Sequence, residues 1–242
     1  MSDLEPVTER VLVLPDEDGF DSWKAETSRE IGMRHRFLPQ WCKDLWNEGN
    51  DRGTPLVPAK KFMAQPIYHY GEAYCMAVVA GVTQPQRWDG VVGDELARSA
   101  PPAWLLEGAG FEALYECFHL LDGMQPKSTG PYAYGEEIMR LAIEECDARS
   151  GASALRAVQD HLKVSGCKLT QPDLLLLPRE GGRLVAIEVK RLGHDRISEA
   201  QFNGFEVLRR CGIRCEVWWI AKTQSPRAPS QNSRGAQFQV RS

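Results

Sequence analysis

A chain of 242 residues with 43% hydrophobic side chains is long enough for one sizeable core plus an appendage, and too ordinary in composition for a fibrous or disordered protein. Its net charge of −4, from 29 basic and 33 acidic residues, excludes a global basic field for nucleic acid, although a local basic groove stays open. Seven cysteines at irregular spacing, with no Cys-x-x-Cys pair, exclude a zinc lattice or a disulfide scaffold and read as reduced thiols of a cytoplasmic protein.

Taken in chain order, Met1 to Pro6 is acidic and has no apolar signal core. Val11–Leu14 is a strand candidate, and residues 21–50 are helical in character, with Trp23, Phe37, Trp41, Leu45 and Trp46 as core candidates. Residues 51–71 read as loop. Cys75–Val82, the longest apolar run, is helix or strand and far too short to span a bilayer, so no membrane partner is expected. The polar, Pro-rich stretch 84–102 suggests a boundary between an N-terminal region of unknown role (1–102) and a second unit (103–222).

Glu107 to Leu121 has the spacing of an amphipathic helix, with Phe111, Leu114, Tyr115, Phe118 and Leu121 on its apolar face. A further helix starts at Gly135-Glu136-Glu137, and Ala152–Lys163 is another. Residues 223–242 are rich in Ser, Gln, Pro and Arg with few apolar side chains, and read as a disordered tail.

The chemistry concentrates between residues 172 and 201. Pro172-Asp173 precedes four leucines, Gly181-Gly182 reads as a hairpin turn, and Leu184–Ile187 leads to Glu188-Val189-Lys190. Asp173 and Glu188 are equidistant from the turn, so they are expected across from each other on paired strands, with Glu188 and Lys190 on one face. Two carboxylates and an ammonium at the end of an apolar hairpin are costly unless they bind a divalent cation. A hard cation, Mg²⁺ or Mn²⁺, suits that oxygen donor set, and such a layout hydrolyses phosphodiesters. Ser198-x-x-Gln201 is a capping box, and Gln201 reads equally as a cap or as a site residue. Arg196 reads equally as a phosphate contact or as a solvated loop charge, and Arg191 is a second candidate for DNA.

Pro172-Asp173-Leu174, Glu188-Val189-Lys190, the helix start Asp195-Arg196-Ile197-Ser198-Glu199-Ala200-Gln201 and the late strand after Gly212 together resemble the VRR-NUC branch of the PD-(D/E)xK nucleases. The resemblance covers about residues 155–222; Ile197 stands where the family pattern has Leu. It implies an α/β, restriction-endonuclease-like core with a mixed β-sheet flanked by helices, plus an N-terminal extension. It also implies metal ligation by Asp173, Glu188 and the Val189 carbonyl, a catalytic Lys190, and a supporting Gln201.

Glu107-Gly108 with Phe111, Leu114 and Tyr115 resembles the helix bearing the first acidic residue in the Fanconi-anaemia-associated subgroup. Glu107 is therefore the preferred third ligand, with Glu136 or Glu137 the alternative. The subgroup resemblance implies a monomer acting on branched or splayed DNA, as a repair nuclease. A DNase toxin with an immunity partner, delivered into a target cell, and a catalytically inactive DNA-binding module are the rival readings.

Overall fold

The computed structural model describes residues 4–14, 40–41, 44, 70–79, 111–115, 136–166, 169–170 and 172–222. Glu107, most of the helical region expected at 21–50, the loop and boundary segments and the C-terminal tail lie outside the described residues.

The elements are β1 (Thr8–Leu14), α1 (Tyr70–Val79), β2 (Phe111–Tyr115), α2 (Glu136–Ser150), α3 (Ala154–Ser165), β3 (Leu174–Pro178), β4 (Val185–Arg191), α4 (Glu199–Arg210) and β5 (Arg214–Lys222). The strands form one mixed sheet in the order β1-β5-β4-β3-β2. β4 and β5 are parallel and joined through α4, as a parallel pair requires a crossover; β3 lies antiparallel to both β4 and β2. The expected α/β core with a mixed sheet flanked by helices is thus present.

Four consecutive leucines make β3 apolar on both faces, and that composition demands cover on both sides. Leu175 and Leu177 face one core with Ala186, Cys215 and Val217 from the sheet and Leu155, Val158, Phe205 and Leu208 from the helices. Leu174 and Leu176 face the other with Val185, Ile187, Trp218, Ile220 and, from α1, Tyr74 and Met76. The sheet is therefore sandwiched, with α2, α3 and α4 on one face and α1 on the other.

The apolar run after Tyr70 settles as helix because it must lie across the second face. Its first turn lies against the sheet: a Cβ at Gly71 would stand in van der Waals contact with Val189 and Ile220, at 3.4 Å. α3 draws its N-terminal cap from outside itself. Asp147 of α2 accepts from the Leu155 and Arg156 amides at 2.9 and 3.2 Å, which ties the two helices into a hairpin.

Two expectations are corrected here. Phe111–Tyr115 is strand, not helix. Its helical spacing is overridden by the free edge of β3, whose backbone groups need partners, and Phe and Tyr suit a strand. The boundary near residue 102 does not divide the sheet either. β1 pairs with β5 over its whole length, and α1 covers one face, so elements before residue 102 belong to the same core.

β1 is held by a buried charge cluster. Glu216 in β5 is fully buried. It accepts from Arg10 Nε of β1 and from Trp218 Nε1, both at 2.9 Å. Arg214 Nε lies 3.1 Å from its other oxygen but without hydrogen-bond geometry. Arg10 is therefore the guanidinium that satisfies Glu216, and removing it strands a buried carboxylate. Arg10→Met is expected to cost about 3 kcal/mol, read as a lowered urea midpoint. An unchanged midpoint would mean that Arg214 and Trp218 suffice.

Candidate metal and phosphodiester site

The β3–β4 register pairs Leu174 with Ile187, Leu175 with Ala186 and Leu176 with Val185. One step further along, Asp173 stands opposite Glu188. The connection is longer than a two-residue turn, residues 179–184, with Gly181 and Gly182 at φ 87° and 133°. The symmetry about it is nevertheless the one expected, because an antiparallel register depends only on the midpoint of the connection.

Asp173 is anchored by its own hairpin: Oδ2 accepts from the Val189 amide at 2.7 Å. Glu188 is only 3% exposed, yet it is a carboxylate. Its Oε1 accepts from Lys190 Nζ and from Gln201 Nε2, both in short contacts. Glu188 and Lys190 alternate along β4 onto the same face, under the start of α4. Gln201 fills both of the roles open to it. Its backbone and side chain complete a capping box with Ser198, and its amide nitrogen reaches Glu188. The cap fixes the first turn of α4, and the first turn then delivers the amide to the sheet.

Burial, followed by the adjacent Asp173 charge, pushes the Glu188 carboxyl up to about 7 despite the opposing pull of Lys190. Even with Lys190 and Gln201 on Glu188 and the Val189 amide on Asp173, burial and the facing carboxylate hold the Glu188 carboxyl high, so the pair is short of positive charge. That shortfall suits a divalent cation, whose donor set would be Asp173, Glu188 and the Val189 carbonyl. Among the described residues no third Asp, Glu, His or Cys joins them.

The loop after β4 is shaped by Asp195, which takes the Arg191 guanidinium at 2.8 to 3.2 Å and the Arg191 amide at 2.8 Å. That pairing, above all the hydrogen bonds from the Arg191 guanidinium, holds the Asp195 carboxyl below its ordinary range. Arg191 is thus engaged within its loop, whereas Arg196 is exposed and makes no ion pair among the described residues. The other arginines near the motif in sequence are not near it in space. Arg183 and Arg214 pair with Glu5, Arg209 donates to the Leu4 and Glu5 carbonyls, and Arg210 pairs with Glu206 at the far end of α4. Cys215 is a core residue, its thiol pushed up to about 12 by burial, and Cys211 is likewise a free thiol.

Residues 129–219 match the family model of the VRR-NUC domain. The chain carries a VRR-NUC domain. The match runs from just before α2 into β5 and includes Asp173, Glu188, Lys190 and Gln201; Glu107 lies outside it. The resemblance to the Fanconi-anaemia-associated subgroup rested on a helix that is strand over its described part, and it is not supported. A comparison with curated proteins finds none that matches the chain. The VRR-NUC domain supports a nuclease, with nucleic acid as its substrate. Among the described residues no helix is long and apolar enough to cross a membrane.

The raised Glu188 carboxyl has a consequence for metal-free protein. An unfolded Glu titrates near 4.5 and the folded one near 7. Between those values the folded state holds a proton that the unfolded state has released. Stability from this group is full below pH 4.5 and is lost as pH rises through about 7. In EDTA the wild type is expected to lose more urea resistance between pH 5 and pH 8 than Glu188→Gln does. Parallel losses in the two proteins would show that Glu188 does not carry this effect.

Proposed function

We propose that this protein is a metal-dependent DNA nuclease that hydrolyses phosphodiester bonds in branched or splayed DNA. The observation that carries the reading is Glu188: a buried carboxylate facing Asp173 across a hairpin end, held by Lys190 and Gln201. A purely structural carboxylate in that position would be costly. A divalent cation bound there would supply the positive charge that polarises a phosphoryl oxygen.

The chain's own groups divide the remaining work. Asp173 and Glu188 set the charge and position of the cation site. Gln201 fixes the Glu188 rotamer from the α4 cap. Lys190, moving from Glu188 Oε1 to the substrate, would stabilise the negative charge that builds on the phosphoryl group or orient the attacking water. Arg196 is exposed beside the start of α4, without the ion pair that engages Arg191, and would take a flanking phosphate.

The third carboxylate is assigned to α2 rather than to Glu107. α2 packs on the same sheet face as Asp173 and Glu188. The α2–α3 hairpin runs its start towards the end of α3, and α3 leads into Asp173.

Asp173→Asn and Glu188→Gln are each expected to abolish cleavage of a labelled branched DNA in Mg²⁺ or Mn²⁺, with the fold intact by circular dichroism. Lys190→Met should cut turnover heavily while metal binding persists. Wild-type turnover in any of the three would overturn the assignment. On that reading either Glu136→Gln or Glu137→Gln should lower turnover by about 100-fold, with Glu107→Gln near wild type. A larger loss in Glu116→Gln, the residue that follows Tyr115 in sequence, would instead put the third ligand after β2, whose Tyr115 end pairs with Leu174 beside Asp173.

Arg196→Ala should weaken binding about equally for different base sequences and reduce the salt slope by roughly one unit. Unchanged affinity and slope would show that Arg196 faces solvent away from the DNA.

A further inference from the structure

Lys190 faces Trp219 across the β4–β5 register. Register partners in parallel strands share a face, so Trp219 stands on the sheet face of Asp173, Glu188 and Lys190. Its indole N–H donates to Glu9 of β1 at 3.0 Å. Glu9 pairs with Val217, and Val217 pairs with Glu188, so Glu9 shares a row with the proposed site two strands away. The indole therefore leans from the Lys190 row towards β1. It packs on the core while remaining partly exposed, and it walls the β1 side of the site.

A second ring stands on the same side. Phe202 follows Gln201 on the first turn of α4 and is 42% exposed. Arg209 lies two turns further on along the same helix flank, and it reaches the Leu4 and Glu5 carbonyls just before β1. The opposite flank, at Gly204, meets Leu169 and Thr170. Phe202 thus lies on the β1-facing flank of α4, beside the residue that grips Glu188.

We propose that Trp219 and Phe202 form an aromatic shelf on which an unpaired nucleobase next to the scissile phosphate stacks, with Glu9 as the positioning residue that fixes the Trp219 ring. This rests on the nuclease reading above and adds a substrate class to it. Stacking on a side chain requires a base already out of the duplex, so the shelf selects a single-stranded nucleotide at the cleavage point. The charges around it do not do this, because phosphate contacts serve duplex and single strand alike.

The test is binding of a duplex with a single-stranded arm, 2-aminopurine at the first unpaired position, in calcium to hold back cleavage. Wild-type protein should quench the 2-aminopurine emission. Phe202→Ala and Trp219→Leu should each lose most of that quenching and bind about tenfold more weakly, with the salt slope unchanged because no charge is removed. Trp219→Phe keeps a ring face and should retain most of the quenching. Phe202 is exposed, so Phe202→Ala reads the shelf even if Trp219→Leu fails to fold. Wild-type affinity and quenching in a folded Phe202→Ala, or an equal loss on fully paired duplex, overturns the shelf alone, provided the wild type cleaves branched DNA in Mg²⁺. A wild-type protein that neither cleaves nor binds DNA overturns the nuclease reading and the shelf with it.

Discussion

Burial of the Glu188 carboxylate is the constraint around which the VRR-NUC core is arranged. Its position follows from the β3–β4 register, which brings Asp173 across from it and adds a second negative charge. Neighbouring elements then compensate that charge. Lys190 folds back along its own strand, and α4 begins where its cap residue can reach Glu188. Asp173 is held by the backbone of the facing strand. The local structures of β3, β4 and α4 are thus not independent choices.

Glu216 is the instructive contrast. It lies on the strand next to Glu188 and is buried even more completely, but on the opposite face of the sheet. There two guanidinium groups and an indole surround it, and β1 is latched to β5 as a result. Glu188 has one ammonium and one amide. Glu216, with its charge met by its neighbours, serves assembly, whereas on the function proposed above the charge of Glu188 and Asp173 would be met by a cation. Burial alone does not separate the two; the inventory of partners does.

The basic residues show how far sequence proximity misleads. Arg183, Arg191, Arg196, Arg209, Arg210 and Arg214 crowd the motif along the chain, yet the fold disperses them. α4 carries Arg209 and Arg210 more than two turns away from Gln201, about 12 Å along its axis. There they serve the N-terminal segment and their own helix. Arg191 stays beside the motif but is paired with Asp195, and Arg196, two positions before the cap of α4, is exposed with no ion pair among the described residues.

The hairpin, the facing carboxylates, Lys190 beside Glu188, the Ser198–Gln201 cap and the strand after Gly212 were all legible in the sequence. Each depends on spacing within a few residues: strand alternation, turn symmetry, or a cap three positions wide. The strand identity of Phe111–Tyr115 was not legible, because five residues that satisfy both helical and strand spacing are decided by the open edge of β3. Nor was the place of Thr8–Leu14, whose partner lies some two hundred residues on and is selected by Arg10 reaching Glu216. The reach of Gln201 to Glu188 and of Trp219 to Glu9 likewise belongs to the tertiary structure. Local periodicity fixes which way a side chain points from its own backbone, but only the packing of sheet and helices decides what it meets there.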